Sequence, residues 1–265
     1  MPTALITGAS SGIGAELARA FARRDHDLIL SARDEDRLQR LADELRDAHG
    51  REVAVLPVDL ADPDGPAALL DRLDAGGHRI DVLVNNAGAG NHGRFDRIPA
   101  EADLDQLRLN ALATTALAKA LLPGMVTRGH GGVLNVASTA AFQPGPGMAV
   151  YYASKAYLLH LSEAQSEELR GTGVTVTALC PGPTTTAFQD RAGMGGTRLE
   201  RQRGVYMDAA TVAEAGVRAF QRGQRVYVPG TLNRLGTRAG RLLPHAWTSR
   251  VIAWLHARED ENARG

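Results

Sequence analysis

Apolar positions along the chain fall into two rhythms. Short runs of three to six residues are largely apolar: Ala4–Ile6, Asp27–Ser31, Val53–Val58, Val82–Val84, Val133–Val136, Val174–Leu179 and Val226–Val228. Between them lie longer stretches with apolar residues every three or four positions: Gly12–Arg24, Glu35–His49, Pro66–Ala75, Leu104–Val126, Tyr151–Arg170 and Ala209–Gln221. Strands covered on both faces need near-continuous apolar runs, whereas helices resting on a sheet need one apolar stripe. Their alternation predicts repeated strand–helix–strand units, hence an α/β fold with a doubly wound parallel sheet and ligands at the carboxyl ends of its strands. Nothing divides residues 1–229, which read as one domain; residues 230–265 read as a helical extension of different character.

Composition adds exclusions. Lys+Arg and Asp+Glu number 30 each, so no global field attracts nucleic acid and none is expected as a partner. Cys180 is the sole cysteine, which rules out an intramolecular disulfide; with no ligand grouping among the histidines, no metal site is expected. The first apolar run begins at Ala4 and stops by Thr7-Gly8, so no secretory leader is expected. No stretch is expected to reach the roughly 18–20 apolar residues of a membrane span. A cytoplasmic protein is the expectation.

The first predicted strand runs into Thr7-Gly8-Ala9-Ser10-Ser11-Gly12-Ile13-Gly14 and then a helix. Gly8 permits a tight turn, Gly12 lets backbone approach a pyrophosphate, and Gly14 lets helix and strand pack closely. The helix start offers free N–H groups and the positive end of its dipole to an anion. A ligand-free glycine turn is the plain alternative, which the strand–loop–helix setting disfavours. On the dinucleotide reading, Thr7, Gly8, Ser10, Ser11, Gly12, Ile13 and Gly14 form the cradle.

The second strand ends Ser31-Ala32-Arg33-Asp34. An acidic side chain at such a tip binds the ribose 2′-OH of NAD, whereas an Arg accommodates the 2′-phosphate of NADP. Small Ala32 followed by Arg33 points to NADP(H), although Asp34 leaves open that Arg33 is only a solvated charge at a helix entry. Asp59 and Leu60 follow the third strand, where they meet the adenine edge or Asp59 caps the next helix. Asn85-Asn86-Ala87-Gly88 follows the fourth strand, with Asn86, Ala87 and Gly88 placed where backbone passes close to a cofactor.

The reactive chemistry is carried by Tyr151-Tyr152-Ala153-Ser154-Lys155, with Ser138 after the preceding strand. Tyr151 and Lys155 share one face of a helix. A phenol of pKa about 10 is a poor base at neutral pH, and a nearby ammonium is expected to lower that value. Tyr151 then protonates an alkoxide in reduction or takes the alcohol proton in oxidation, while Ser138 stabilises charge on the substrate oxygen. Tyr152 has only Ala156 one turn on, so Tyr151 is the expected acid.

The glycine loop, Asn85-Asn86-Ala87-Gly88, Ser138 and Tyr151-x-x-x-Lys155, in this order, resemble the short-chain dehydrogenase/reductase family from about Thr3 to Val228. The resemblance implies a Rossmann-like fold and hydride transfer between NADP(H) and a ketone, aldehyde or secondary alcohol. It also implies that Asn110 helps hold a proton-relay water near Lys155, that Lys155 binds the nicotinamide ribose, and that Pro181, Gly182 and Thr184 meet the carboxamide. A homodimer or homotetramer joined through the helices near 104–126 and 151–170 is likewise implied. Ser11 departs from many NADP-using relatives, which carry a basic residue there. Two rivals stay open: a 3-oxoacyl-thioester reductase and a non-catalytic NADP(H)-binding sensor or scaffold.

Substrate choice is expected between Thr185 and Met207, where Phe188, Met194, Leu199, Val205, Tyr206 and Met207 flank a Gly-rich stretch suited to a mobile apolar lid. Gln143, Pro144 and Met148 are expected on the opposite wall. From Ala215 through Arg258 no acidic residue occurs, while Arg218, Arg222, Arg225, Arg234, Arg238, Arg241, Arg250 and Arg258 do. Leu235, Leu242, Leu243, Trp247, Val251, Trp254 and Leu255 recur there at helical spacing. Such a segment either packs on its own fold or a partner subunit, which zero net charge favours, or contacts an anionic membrane surface.

Overall fold

A computed structural model describes residues 1–201 and 206–257, together with the backbone but not the side chains of Arg241 and Leu242. Val205 and Arg258 therefore lie outside the described residues, as does the side chain of Leu242. Seven strands, β1 (Thr3–Thr7), β2 (Asp27–Ser31), β3 (Val53–Val55), β4 (Val82–Asn85), β5 (Gly131–Val136), β6 (Val174–Leu179) and β7 (Val226–Tyr227), form one sheet in the order β3-β2-β1-β4-β5-β6-β7. Every neighbouring pair is parallel. The chain winds outward in both directions from β1 and β4, so the crevice for a ligand opens beyond the carboxyl ends of those strands. β3 stops at Val55, short of the expected Val58, because Pro57 has no N–H for the ladder; Leu56 and Val58 still donate to Leu30 and Ala32.

Helices cover both faces. α1 (Gly12–Ala22), α2 (Glu35–His49) and α9 (Ala209–Gln221) bury Leu17, Phe21, Leu38, Leu45, Val212 and Val217 on one face. α3 (Gly65–Ala75) and α5 (Thr114–Arg128) bury Leu69, Leu73, Leu117 and Met125 on the other. Each fully buried side chain of this size contributes about 1.5–3 kcal/mol, so the two layers hold the strand tips in fixed register. α1 and α9 are also tied by Arg23 and Arg24, both paired with Glu214, whose carboxyl they hold down at about 2.

The expected helix Leu104–Val126 is longer and irregular. α4 (Ala100–Leu107) passes through a π-helical segment, Arg108–Ala113, into α5. The continuous run Ala100–Arg128 is 29 residues with a mean hydropathy of 1.3 in its most apolar window, long and apolar enough to cross a membrane. That corrects the expectation of no such stretch. Here Leu117, Ala118 and Met125 bury against strands of the sheet, and Asp103 and Gln106 are also buried.

α6 (Ala149–Glu168) lies over β5 and β6, preceded by a single 3-10 turn at Thr139–Phe142. Two four-residue helices, α7 (Phe188–Arg191) and α8 (Arg198–Arg201), interrupt the stretch expected to be a loop. The extension forms α10 (Thr231–Leu242) and α11 (His245–His256), which return to the carboxyl ends of the strands. Its exposed side includes Leu232, Leu235, Leu243, Trp247, Val251 and Trp254.

Candidate active site

One cavity of about 690 Å3 runs along the carboxyl ends of the strands. Its wall contains every expected cofactor residue except Thr7: Gly8, Ser10, Ser11, Gly12, Ile13, Gly14, Arg33, Asp59, Leu60, Asn86, Ala87, Gly88, Tyr151, Lys155, Pro181, Gly182 and Thr184. Thr7 is buried behind the loop, where its hydroxyl donates to the Val84 carbonyl and accepts from the N–H groups of Asn86 and Ala87. Asn86 lines the wall and is also a brace, since its side-chain amide donates to the carbonyls of Thr7 (3.0 Å) and Gly8 (3.1 Å). The two braces share one cause: a glycine-rich loop gains little rigidity from its own side chains, so neighbours must fix it. A Cβ on Gly14 would sit 2.2 Å from the Gly8 carbonyl oxygen, so only glycine permits this approach of helix to loop.

Ser11 is the N-cap of α1 by position, but its side chain makes no capping hydrogen bond, leaving the helix start to an incoming anion. Gln106 in the same wall is 2% exposed, and neither end of its amide is hydrogen-bonded. Such an amide demands polar partners. A dinucleotide, with hydroxyls and amides along its length, fits these donors.

At the tip of β2, Asp34 caps α2, accepting from Arg37 N at 3.0 Å, and pairs with the Arg37 guanidinium at 3.1 Å. Asp34 is thus the cap of a helix entry, and it lines the cavity beside Arg33. Arg33 is 73% exposed and lies 3.7 Å from Asp59, which also accepts from Ala61 N. Arg37 lines the cavity too, a second cation that was not anticipated because its proximity depends on how α2 leaves the strand.

Ser138, Tyr151 and Lys155 meet in the cavity wall. Ser138 sits just past β5, and its hydroxyl accepts from Ala140 N at 3.1 Å. Lys155 Nζ donates to the Val136 carbonyl at 2.9 Å and lies 5.8 Å from the centre of the Tyr151 ring. A Cβ on Gly88 would stand 3.3 Å from both Lys155 Nζ and Asn110 Oδ1, so glycine lets the fourth-strand loop close on this corner. Asn110, in the π-helical segment, does not line the cavity. Its amide accepts from Ala89 N and donates to Ala89 O and Ser154 Oγ, each at 2.9 Å. The side chain is therefore engaged in joining the Ala89 loop to α6.

The expected depression of the Tyr151 phenol is not what the protein produces. Burial pushes Tyr151 up to about 12, with Ser138 pulling weakly the other way, and pushes Lys155 down to about 8. Loss of water outweighs the hydrogen bond with Ser138. Tyr152 is separate: its ring packs on Gly145, and its hydroxyl faces His256 Nε2 at 3.2 Å.

The far end of the cavity is apolar, with Met148, Phe188, Met194 and Leu199 beside Tyr206. Gln143 and Pro144 do not line it: Gln143 faces Gly240 of α10, and Pro144 is exposed. Met207 instead packs on the core and pairs with Thr184, whose hydroxyl turns back to the Gly182 carbonyl. His256, the last residue of α11, closes this end. Its Nδ1 donates to the Pro146 carbonyl, and its own carbonyl accepts from His92 Nε2. Arg198 of α8 lies over the Trp254 ring and donates to the Trp254 carbonyl, tying the lid region to the extension. Only the basic amphipathic character of the tail signalled a role, and it said nothing of His256.

A family model described as short chain dehydrogenase matches residues 2–194. A short-chain dehydrogenase from Sphingobium yanoikuyae, solved in complex with NADPH, is 40% identical, covers 91% of this chain and 95% of its own, and superposes with a TM-score of 0.81. The bulky-bulky ketone specific alcohol dehydrogenase from Comamonas testosteroni is 34% identical, with coverage of 91% and 93% and a TM-score of 0.77. A ketoacyl reductase of Nostoc is 35% identical over 180 residues, 68% of this chain and 62% of that protein. The chain spans 59% and 62% of the length of two curated relatives it matches. With the strand order, the cradle and the Ser–Tyr–Lys corner in place, the chain belongs to the short-chain dehydrogenase/reductase family of oxidoreductases.

Proposed function

We propose that the protein is an NADPH-dependent reductase of apolar ketones or aldehydes. The observation that carries this reading is the convergence of Ser138, Tyr151 and Lys155 in the wall that also holds the glycine loop. NADPH, when bound, supplies the hydride. The glycine loop and the start of α1 hold its phosphates, Arg33 and Arg37 favour the 2′-phosphate, and Gln106 offers both a donor and an acceptor. Ser138 orients the substrate oxygen. With its pKa near 12, Tyr151 is protonated at neutral pH and delivers that proton to the oxygen as negative charge grows there. Lys155 keeps its positive charge below about pH 8 and stabilises the negative charge left on the phenol oxygen after proton transfer.

The apolar end built from Met148, Phe188, Met194 and Leu199 selects a hydrophobic carbonyl compound, in keeping with the ketone-specific and ketoacyl-reducing relatives. Exposed Leu112 and Tyr157, on adjoining helices, support the homo-oligomeric assembly that the resemblance implies. A panel of bulky ketones, aldehydes and 3-oxoacyl thioesters, followed by NADPH absorbance, tests the activity. Turnover of at least one of these carbonyl classes is the expected result, and the class with the highest kcat/KM separates a ketone reductase from a 3-oxoacyl-thioester reductase. Tight NADPH binding with no turnover across the panel would mean a binding protein instead. Arg33→Ala is expected to weaken NADPH binding about 10-fold or more while leaving NADH within about 2-fold. Equal losses for both would remove the NADP assignment.

A further inference from the structure

The segment after Thr184 crosses directly over the phosphate cradle. A Cβ on Gly12 would lie 3.0 Å from Thr186 Cγ2, so the two chains pass at contact distance. Gln189 of α7 donates to the Thr184 carbonyl at 2.9 Å, which pins the short helix in that position. Its last residue, Arg191, is exposed, points into the same cavity and places Nη1 3.5 Å from Ser11 Oγ. No carboxylate pairs with Arg191 among the described residues. A guanidinium thus stands over the start of α1, beside a serine whose hydroxyl does not cap the helix.

We propose that Arg191 is a lid-borne ligand of the cofactor pyrophosphate, so that holding the dinucleotide and holding the lid are one event. The inference rests on the dinucleotide reading of the cavity. An anion seated at a helix start faces the positive end of the dipole and unpaired N–H groups, and a guanidinium adds a charge-assisted contact from the opposite side. Because that cation is carried on α7, the bound phosphate pulls on the segment that supplies Phe188 and Met194 to the substrate wall. A loop-borne cation at position 11 would bind phosphate equally well but would leave the lid free. The proposal therefore gives Ser11 a reason: a long basic side chain there would repel Arg191.

The test is calorimetric binding of NADPH, NADH, ADP-ribose and 2′-AMP to the wild-type chain, Arg191→Ala and Arg191→Lys. ADP-ribose keeps the pyrophosphate without the 2′-phosphate, and 2′-AMP has the reverse. Arg191→Ala is expected to weaken NADPH, NADH and ADP-ribose about 10-fold each and 2′-AMP by less than about 2-fold, with Arg191→Lys intermediate. Losses confined to NADPH and 2′-AMP would place the guanidinium on the 2′-phosphate and overturn the assignment, as would no loss for any ligand. Wild-type protein that bound none of the four would overturn both this inference and the dinucleotide reading beneath it; wild-type binding with an indifferent Arg191→Ala would overturn this inference alone. A thermal midpoint within about 2 °C of wild type verifies that the exposed side chain was removed without damage to the fold.

Discussion

Removing one oxygen from Tyr151 isolates the proposed proton transfer from everything else the residue does. Its ring lies 5.3 Å from the Phe188 ring and 6.1 Å from that of Tyr152, and Lys155 Nζ stands 5.8 Å from its centre. Tyr151→Phe keeps all of that packing. The hydroxyl's neighbour is Ser138, so the loss in stability stays within about 1 kcal/mol and cofactor affinity is expected to stay within about 3-fold. What disappears is the proton donor, and general acid catalysis by a positioned side chain is worth about 10²–10⁴ in rate. That corresponds to about 3–5.5 kcal/mol of barrier. The assay is single-turnover reduction of the best carbonyl substrate with NADPH, beside cofactor titration and thermal unfolding of the same preparation. A variant that folds, binds NADPH and turns over within about 3-fold of wild type would refute the chemistry assigned to Tyr151.

Two further outcomes follow from the geometry. His256 is buried with its pKa pushed down to about 4 by loss of water, against about 6.5 when unfolded, so the unfolded chain takes up its proton first. The stability it contributes is complete above about pH 6.5 and is lost as pH falls towards 4. Calorimetric midpoints should therefore fall less steeply between those limits in His256→Phe than in wild type, and parallel slopes would contradict the assignment. Gly14→Ala forces a Cβ to within 2.2 Å of the Gly8 carbonyl and is expected to cost about 2 kcal/mol or more and abolish NADPH binding; a variant that binds NADPH within about 3-fold would show that the loop need not close on the helix.

The fold was legible because its two periodicities are local properties of the chain. Six of the seven runs match strands to within two residues at each end, and the exception is explained by Pro57, whose missing N–H is itself visible in the sequence. The reactive corner was legible for the same reason, since Tyr151 and Lys155 are related by one helical turn. What could not be read were relations between distant segments. Arg37 reaches the tip of β2 only through the exit angle of α2, and Arg191 reaches Ser11 across 180 positions. His256 joins Pro146 and Tyr152 at separations of 110 and 104. Nor could spacing say whether Thr7 and Asn86 face a ligand or the loop behind it, because both roles require the same compact polar side chains. The sign of the Tyr151 shift was missed on similar grounds: a helical offset gives the distance to a cation but not the depth of burial.

That reversed sign bears on direction. Burial disfavours charge on either partner, so it keeps the phenol protonated and brings the ammonium near its point of neutralisation at neutral pH. A substrate alkoxide is about as basic as hydroxide, with a conjugate-acid pKa of roughly 16, so a proton passing to it from a phenol near 12 still moves about four units downhill. The reverse step, taking the proton from an alcohol, first needs a phenolate that the cavity makes scarce, and only added positive charge or higher pH would supply one. Such a site holds its proposed acid in the protonated form that reduction uses. The Phe188 ring of α7 lies 5.3 Å from the Tyr151 ring, so a segment proposed to face the substrate also helps to bury the proposed acid.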